Sequence, residues 1–113
     1  MRGLVFNNGI LAGTIEKDGG GSFIFTYDAG YFNDKDLPPV SLTLLKTQLQ
    51  HRSEKMFPFF YGLLSEGVNK DIQCSMFKID EEDDFTRLLL TAQHDTIGAI
   101  TVKPEDDEVF GLL

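Results

Sequence analysis

The chain has 113 residues, which is enough for one domain with a buried core, and 42% apolar residues with ten Phe exclude a disordered polymer. The formal net charge of −8 argues against direct binding to nucleic acid or to an anionic membrane, because both attract Lys and Arg. The acidity permits a basic protein partner, and it is equally well explained by solubility alone.

The cysteine content and the hydropathy pattern indicate the compartment. Cys74 is the only cysteine, so no intrachain disulfide can form, which fits a reducing cytosol. A buried structural thiol is favoured there over a nucleophile. No N-terminal run resembles a signal peptide, and no stretch of ~20 apolar residues could span a bilayer. We therefore expect a soluble, cytoplasmic protein.

Three β-prone segments open the chain, separated by turn signals. Asn8-Gly9 predicts a tight hairpin because both residues tolerate positive φ. Asp18–Gly21 predicts a second turn, and Gly13 indicates a bulge or a close backbone approach within a strand. The predicted strands are Leu4–Phe6, Ile10–Lys17 and Ser22–Asp28, the last with Phe23, Phe25 and Tyr27 on one face.

The next segments favour an irregular connection followed by a fourth strand. Ala29–Pro39 carries turn residues and ends in Pro38-Pro39, which favours extended backbone. Val40–Leu45 alternates apolar and polar residues, so we predict a strand there. Lys46–Lys55 is polar, and we expect it to form an exposed loop that presents His51 and Arg52.

The densest apolar cluster, Phe57–Gly67, predicts a short helix at the centre of the core. Pro58 suits a first helical turn, where its missing N–H is not needed. Gly67 can end or bend a helix. The expected buried stripe is Phe59, Phe60, Leu63 and Leu64.

Two further helices are predicted after this cluster. Ser65 is the expected N-cap of the first, with an apolar stripe of Val68, Ile72 and Met76 turned to the core. Asp80 is the expected N-cap of the second, with acidic residues 81–84 in its first turn. Its buried stripe is predicted to be Phe85, Leu88, Leu89 and Ala92.

The C-terminal part predicts a loop at Gln93–Thr96 and a last strand at Ile97–Val102, with Ile100 and Val102 on one face. We expect residues 1–103 to form the domain and residues 104–113 an acidic and apolar tail. The fold class is then α+β: a curved, partly closed antiparallel sheet of about five strands with two to three packed helices.

Candidate catalytic and metal sites have simpler explanations. Gly19–Gly21 lacks the Lys-Ser/Thr and helix of a phosphate-binding loop, so a hairpin turn is favoured. His51 and His94 are the only histidines, and Cys74 belongs to no paired motif, so no metal site is predicted. His94-Asp95 has no activated Ser or Cys nearby. We expect no catalytic residue, no metal and no cofactor.

Four segments carry a resemblance to the N-terminal subdomain of HipA-type serine/threonine kinases. The first meander, through Phe23-x-Phe25-x-Tyr27, resembles the opening of that subdomain, and Val40–Leu44 resembles its "lSlsLP" segment. Phe59–Gly67 resembles its "FFxnLLPEG" signature, with Ser65 in place of Pro. Asp95–Ile100 resembles its "GDcaGAl" element. The resemblance covers nearly all of residues 4–103.

The resemblance implies a binding protein rather than an enzyme. The chain ends where a HipA kinase would continue into its catalytic body, and it offers no kinase-type Lys or Asp set. A free-standing copy of the subdomain is similar to the HipS antitoxins of tripartite HipBST toxin–antitoxin systems. Members of that family bind and neutralise a HipT kinase toxin, and HipB is the DNA-binding component. A HipT-like kinase and a HipB-like protein are therefore the expected partners.

Exposed turns supply the candidate contact residues for such a partner. They lie in the polar loop before the aromatic cluster and in the turn after it: His51, Arg52, Ser65, Glu66, Gly67 and Val68. One alternative is a scaffold that bridges the kinase and the DNA-binding protein without inhibiting catalysis. Another is a small enzyme or ligand-binding domain of unrelated role, which would need a convergent pocket with perturbed titratable groups.

Overall fold

A computed structural model describes residues 2–64, 67–80, 82–92 and 99–105; the side chain of Val68 lies outside the description. Within these residues it has five strands and four helices. The strands are β1 (Arg2–Asn7), β2 (Ile10–Lys17), β3 (Phe23–Tyr27), β4 (Gln50–Ser53) and β5 (Ile100–Pro104). The helices are α1 (Ala29–Asn33), α2 (Pro58–Tyr61), α3 (Gly67–Phe77) and α4 (Asp84–Thr91).

The five strands form one sheet in the order β4-β3-β2-β1-β5, and every neighbouring pair is antiparallel. The order makes β4 and β5 the two edges, so within the described residues the sheet is open and the predicted partial closure is wrong. The predicted α+β class with five antiparallel strands is confirmed. Four helices are described where two to three were expected, and the additional one is α1.

Both predicted hairpin turns are confirmed. Asn8 and Gly9 have φ values of 50° and 81°, so both lie in the left-handed region that the tight β1–β2 turn requires. In the β2–β3 turn, Asp18 Oδ1 accepts from the N–H groups of Gly20 and Ser22, each at 2.9 Å. These amides are bound to the turn's own carboxylate, as expected for a hairpin turn rather than a phosphate cradle.

Gly13 lies next to a bulge and close to β3, as predicted. The β1–β2 register shifts between Val5 and Phe6, which leaves Ala12 as an additional residue in β2. A Cβ on Gly13 would lie 2.3 Å from the carbonyl oxygen of Thr26. Only glycine fits there without moving the β3 backbone.

The core lies between one face of the sheet and the helices. The sheet contributes side chains that alternate inward along each strand, and α2 and α4 cover them. Phe60 is fully buried, and its ring centroid lies 5.7 Å from that of Phe25. The predicted central role of the aromatic cluster is confirmed for its buried members, Phe57, Phe60 and Leu64, with Phe59 and Leu63 packed against them.

The predicted strand at Val40–Leu45 is wrong, because the chain turns there. The Leu44 N–H donates to the Ser41 carbonyl, and the backbone reverses. Val40 and Leu44 are buried, while Leu42 between them is 89% exposed. The fourth strand is instead β4, within the segment that we expected to be an exposed loop.

The Ala29–Pro39 connection begins with a short helix where the sequence predicted irregular backbone. Asp28 caps α1 by accepting from the Tyr31 N–H at 3.2 Å. Tyr31 is buried, and its hydroxyl donates to the Pro38 carbonyl at 2.6 Å. Burial of Tyr31 against Tyr27, at 5.9 Å between ring centroids, stabilises this turn of helix.

The two later helices confirm some predictions and contradict others. The buried stripe of α4 is confirmed at Phe85, Leu88, Leu89 and Ala92. Its N-cap is Asp83 rather than Asp80, since Asp83 accepts from the Thr86 N–H at 3.0 Å. Helix α3 forms where predicted, but Ile72 and Met76 are exposed, so their predicted burial is wrong. The predicted cap Ser65 lies outside the described residues.

The last described strand runs from Ile100 through Pro104, and residues 97–98 of the predicted strand lie outside the described residues. Ile100 and Val102 share the buried face, as expected. The Val102 N–H donates to the Ala92 carbonyl at 2.9 Å, which fastens the end of α4 to β5. The predicted loop at Gln93–Thr96 and residues 106–113 of the predicted tail lie outside the described residues, and the boundary at residue 103 stays a prediction.

Candidate partner-binding surface

His51 lies on β4 with its ring turned to the core side of the sheet. It is 9% exposed, and its ring lies edge-on to Tyr27 with centroids 6.2 Å apart. Its Nε2 lies 2.9 Å from the Leu45 carbonyl, and its Nδ1 lies 3.1 Å from Gln48 Nε2. The expected exposure of His51 is therefore wrong, because the histidine holds the preceding loop and offers little surface to a partner.

Arg52 follows His51 in an extended strand, so its side chain lies on the opposite, open face of the sheet. The side chain is 57% exposed, and its Nη1 lies 2.8 Å from Asp18 Oδ2. The Ser22 N–H does most to hold the pKa of the Asp18 carboxyl below its usual value, and Arg52 acts in the same direction. Of the two residues predicted on this segment, Arg52 is the one that a partner can reach.

The loop after α1 is fastened by a tyrosine rather than by strand pairing. The Tyr27 hydroxyl donates to the Leu44 carbonyl and accepts from the Val40 N–H at 3.0 Å. Burial of the phenol raises the pKa of Tyr27, because the charged form is disfavoured away from water. The hydroxyl thus stays protonated and able to donate throughout the neutral range.

The predicted contact turn at residues 65–68 is described only in part. Ser65 and Glu66 lie outside the described residues. Gly67 is the first residue of α3, and Val68 lies in its first turn. The turn therefore leads directly into α3, and its role in binding stays a prediction.

A cleft of about 620 Å³ lies between the end of β2, the segment before α2 and the start of α4. Its charged lining is mixed, with two lysines and four carboxylates. Asp83 caps α4, and Asp84 lies 3.3 Å from Nη1 of the buried Arg87, so two of these carboxylates act within the helix itself. The lining residues are Lys17, Phe23, Lys55, Met56, Tyr61, Asp80, Glu82, Asp83, Asp84 and Phe85.

The described residues contain neither a cluster of metal ligands nor a membrane-spanning helix. Across 2–64, 67–80, 82–92 and 99–105, no group of three or more His, Cys, Asp or Glu side chains is arranged to hold a metal ion. No helix in the described part of the chain is long and apolar enough to cross a membrane.

Two apolar residues of α3 are exposed, although the sequence pattern predicted that they would be buried. Ile72 is 50% exposed and Met76 is 70% exposed. Cys74 between them is buried, as predicted. The i, i+4 spacing that predicted a buried stripe is the same signal that a binding stripe would give, because periodicity identifies an apolar face and not what covers it.

The open five-stranded sheet and the helices that cover one of its faces define a small α+β domain. Residues 3–103 match the family model described as "HipA N-terminal domain". The chain belongs to the HipA N-terminal domain family.

Similar proteins contain this domain in two arrangements. The chain is 29% identical over 104 residues to "Putative kinase Y4mE" of Sinorhizobium fredii, covering 92% of this chain but 24% of the relative. It thus spans about a quarter of that relative's length. It is 33% identical over 103 residues to an uncharacterized protein of Haemophilus influenzae, covering 91% of this chain and 92% of the relative.

A solved structure has the same fold. The structure titled "N-terminal domain of HipA toxin" superposes with a TM-score of 0.67 at 28% sequence identity. The match covers 93% of this chain and 94% of that one. Membership of the family and the family's link to a toxin and to a kinase-like relative therefore rest on both sequence and fold.

Proposed function

We propose that this protein is a cytoplasmic, non-enzymatic antitoxin that binds and neutralises a HipT-type serine/threonine kinase toxin. The observation that carries the proposal is the share of each relative that this domain matches. The same domain matches a quarter of a relative titled as a kinase and nearly the whole of a small relative. A domain that occurs both within a kinase-titled chain and as a small protein is suited to act on a kinase as a separate subunit.

The physical basis of inhibition is an interface that blocks the active site of the kinase or locks its conformation. A stable complex of this kind buries on the order of 1,600 Å² in total. The net charge of −8 favours a basic surface on the kinase and speeds the encounter. Arg52 and the turn at residues 65–68 are the contacts that we propose from the sequence, with His51 contributing at most its small exposed edge.

Co-expression with the HipT-type kinase of the same genome tests the proposal. We expect growth to be restored and the two chains to co-purify, and autophosphorylation of the kinase to fall as the purified protein is added. A kinase that stays toxic and binds nothing would contradict the proposal. Unchanged kinase activity at saturating binding would favour the scaffold that bridges kinase and HipB-like protein.

A pair of arginine variants tests the contact surface. Arg52→Glu reverses a charge that is 57% exposed on β4. Arg2→Glu makes the same change on β1, where the side chain is 47% exposed and lies 3.2 Å from Glu105. Both arginines are ion-paired at the surface, so the cost to folding is similar and small. We expect the Arg52 variant alone to change the affinity for the kinase, and wild-type affinity in both variants would remove Arg52 from the interface.

A further inference from the structure

Helix α3 presents an apolar stripe that the described part of the chain does not cover. Ile72 and Met76 are four residues apart, so their side chains lie about 40° apart around the helix. Cys74, which is 5% exposed, lies about 200° from Ile72 and so faces the opposite way. The helix packs through the Cys74 side, and the Ile72–Met76 stripe faces solvent.

In this arrangement the described part of the chain buries little of the apolar surface of α3. A helix of 11 residues is marginal in water by itself and is normally stabilised by packing of one apolar face. Among the described side chains of residues 69–77, Cys74 is the one that is buried. A partner that covered the Ile72–Met76 stripe would supply the packing that the domain does not.

The chemistry of the stripe suits a groove on another protein. Single exposed apolar residues are ordinary, but adjacent ones on a helix face form the i, i+4 anchors that grooves recognise. Methionine adds an unbranched, polarizable side chain that adapts to the shape of a pocket. Asp71 and Ser75 flank the stripe and are exposed, which gives the apolar centre a polar rim.

We propose, resting on the function proposed above, that the Ile72–Met76 stripe docks α3 into an apolar groove on the body of the kinase. The kinase-titled relative is matched over 24% of its length, so about three quarters of that chain lies outside the match and is available to cover such a face. Within the described residues the stripe is an apolar face that no other element covers. It is also continuous along the chain with the predicted contact residues 65–68, since Gly67 and Val68 belong to α3.

Glutamate variants of the stripe, with a control on another exposed leucine, test this assignment. Ile72→Glu and Met76→Glu place a charge in the proposed contact. Leu42→Glu makes the same change at a leucine that is 89% exposed on the loop before β4. Titration calorimetry with the purified HipT-type kinase should show binding weakened at least about tenfold by each α3 variant and by less than about twofold by Leu42→Glu.

Hydrogen exchange supplies a second readout that needs no variant. In the wild-type complex, the amides of α3 should gain protection relative to the free protein, because a covered helix opens less often. Circular dichroism of each variant verifies that the fold is intact. If a variant unfolds, the exchange measurement on the wild-type complex decides alone.

The outcomes separate this proposal from the proposed function. Wild-type binding with unchanged binding by both α3 variants, or without added protection of α3, would overturn the docking assignment and leave the antitoxin role standing. An equal loss with Leu42→Glu would also overturn it. Self-association of the wild type that the α3 variants abolish would assign the stripe to a second copy of this chain. Failure of the wild type to bind any HipT-type kinase would overturn the proposed function and the docking assignment with it.

Discussion

Helices α3 and α4 follow one another in the chain, and each carries apolar residues at helical spacing. In α4 these residues face the sheet, and Leu88 and Leu89 are fully buried. In α3 the corresponding stripe faces solvent, with Ile72 50% and Met76 70% exposed. The comparison teaches that the same sequence pattern occurs in a helix that packs on the core and in a helix whose apolar stripe faces solvent. What distinguishes them is the surface that the rest of the chain provides.

Leu89→Ala should lower the free energy of unfolding more than the other variants, because it removes a side chain by which α4 packs on the sheet. Leu89 is fully buried, and its Cδ2 occupies the space above Gly3 of β1. Truncation of such a core leucine destabilises by about 2–5 kcal/mol. Urea unfolding followed by circular dichroism measures the change, and a loss below about 0.5 kcal/mol would contradict the assignment of α4 to the core.

Cys74→Ser tests the single buried side chain described in α3. A hydroxyl in place of the thiol is more costly to bury, so we expect the free energy of unfolding to fall by about 1–2 kcal/mol. Ser75→Ala, at an exposed neighbouring position, is the matched control and should change stability by less than about 0.5 kcal/mol. If the two variants are equally stable, α3 is not held through Cys74.

Asp83→Ala tests where α4 begins. The Asp83 carboxylate accepts from the N–H and the hydroxyl of Thr86, at 3.0 and 2.7 Å. Loss of an N-cap of this kind costs about 1 kcal/mol. Asp80→Ala, which removes the bond to the Glu82 N–H, should cost less. The reverse order in the measured free energies of unfolding would restore Asp80 as the cap.

Ile72→Ala should have the smallest effect on the free protein. Half of the side chain is exposed, so little apolar area is lost, and we expect less than about 0.5 kcal/mol. The same variant should weaken binding to the kinase. A large loss of stability in the free protein would show that α3 packs through this face and would remove the contrast with α4.

Local chemistry made several features predictable from the sequence. The Asn8-Gly9 hairpin follows from two residues that accept positive φ. The inward alternation of Phe23, Phe25 and Tyr27 follows from the two-residue period of a strand. Gly13 and the apolar stripe of α4 also gave local signals, a glycine within a strand and apolar residues at helical spacing, and the contacts with Thr26 and with the sheet agree with them.

The errors occur where distant contacts decide. Val40–Leu45 alternates like a strand, but Tyr27 binds the backbone at both Val40 and Leu44 and holds a turn. The polar Gln50–Ser53 segment becomes β4 because the edge of β3 is available for pairing, and His51 then enters the core side. The polar segment Gln50–Ser53 gives no local signal for strand pairing, since its partners in β3 lie 24 to 30 residues earlier in the chain.

The sequence by itself determined the class of the fold, the elements with strong local signals and the family resemblance on which the proposed kinase partner rests. Only the tertiary structure decided which segment forms the edge strand β4, that Arg52 rather than His51 is accessible, and that the apolar stripe of α3 faces solvent. The physical reason is that periodicity defines the direction of a face relative to its own helix or strand. Whether that face meets the core, water or a partner depends on where the other elements pack.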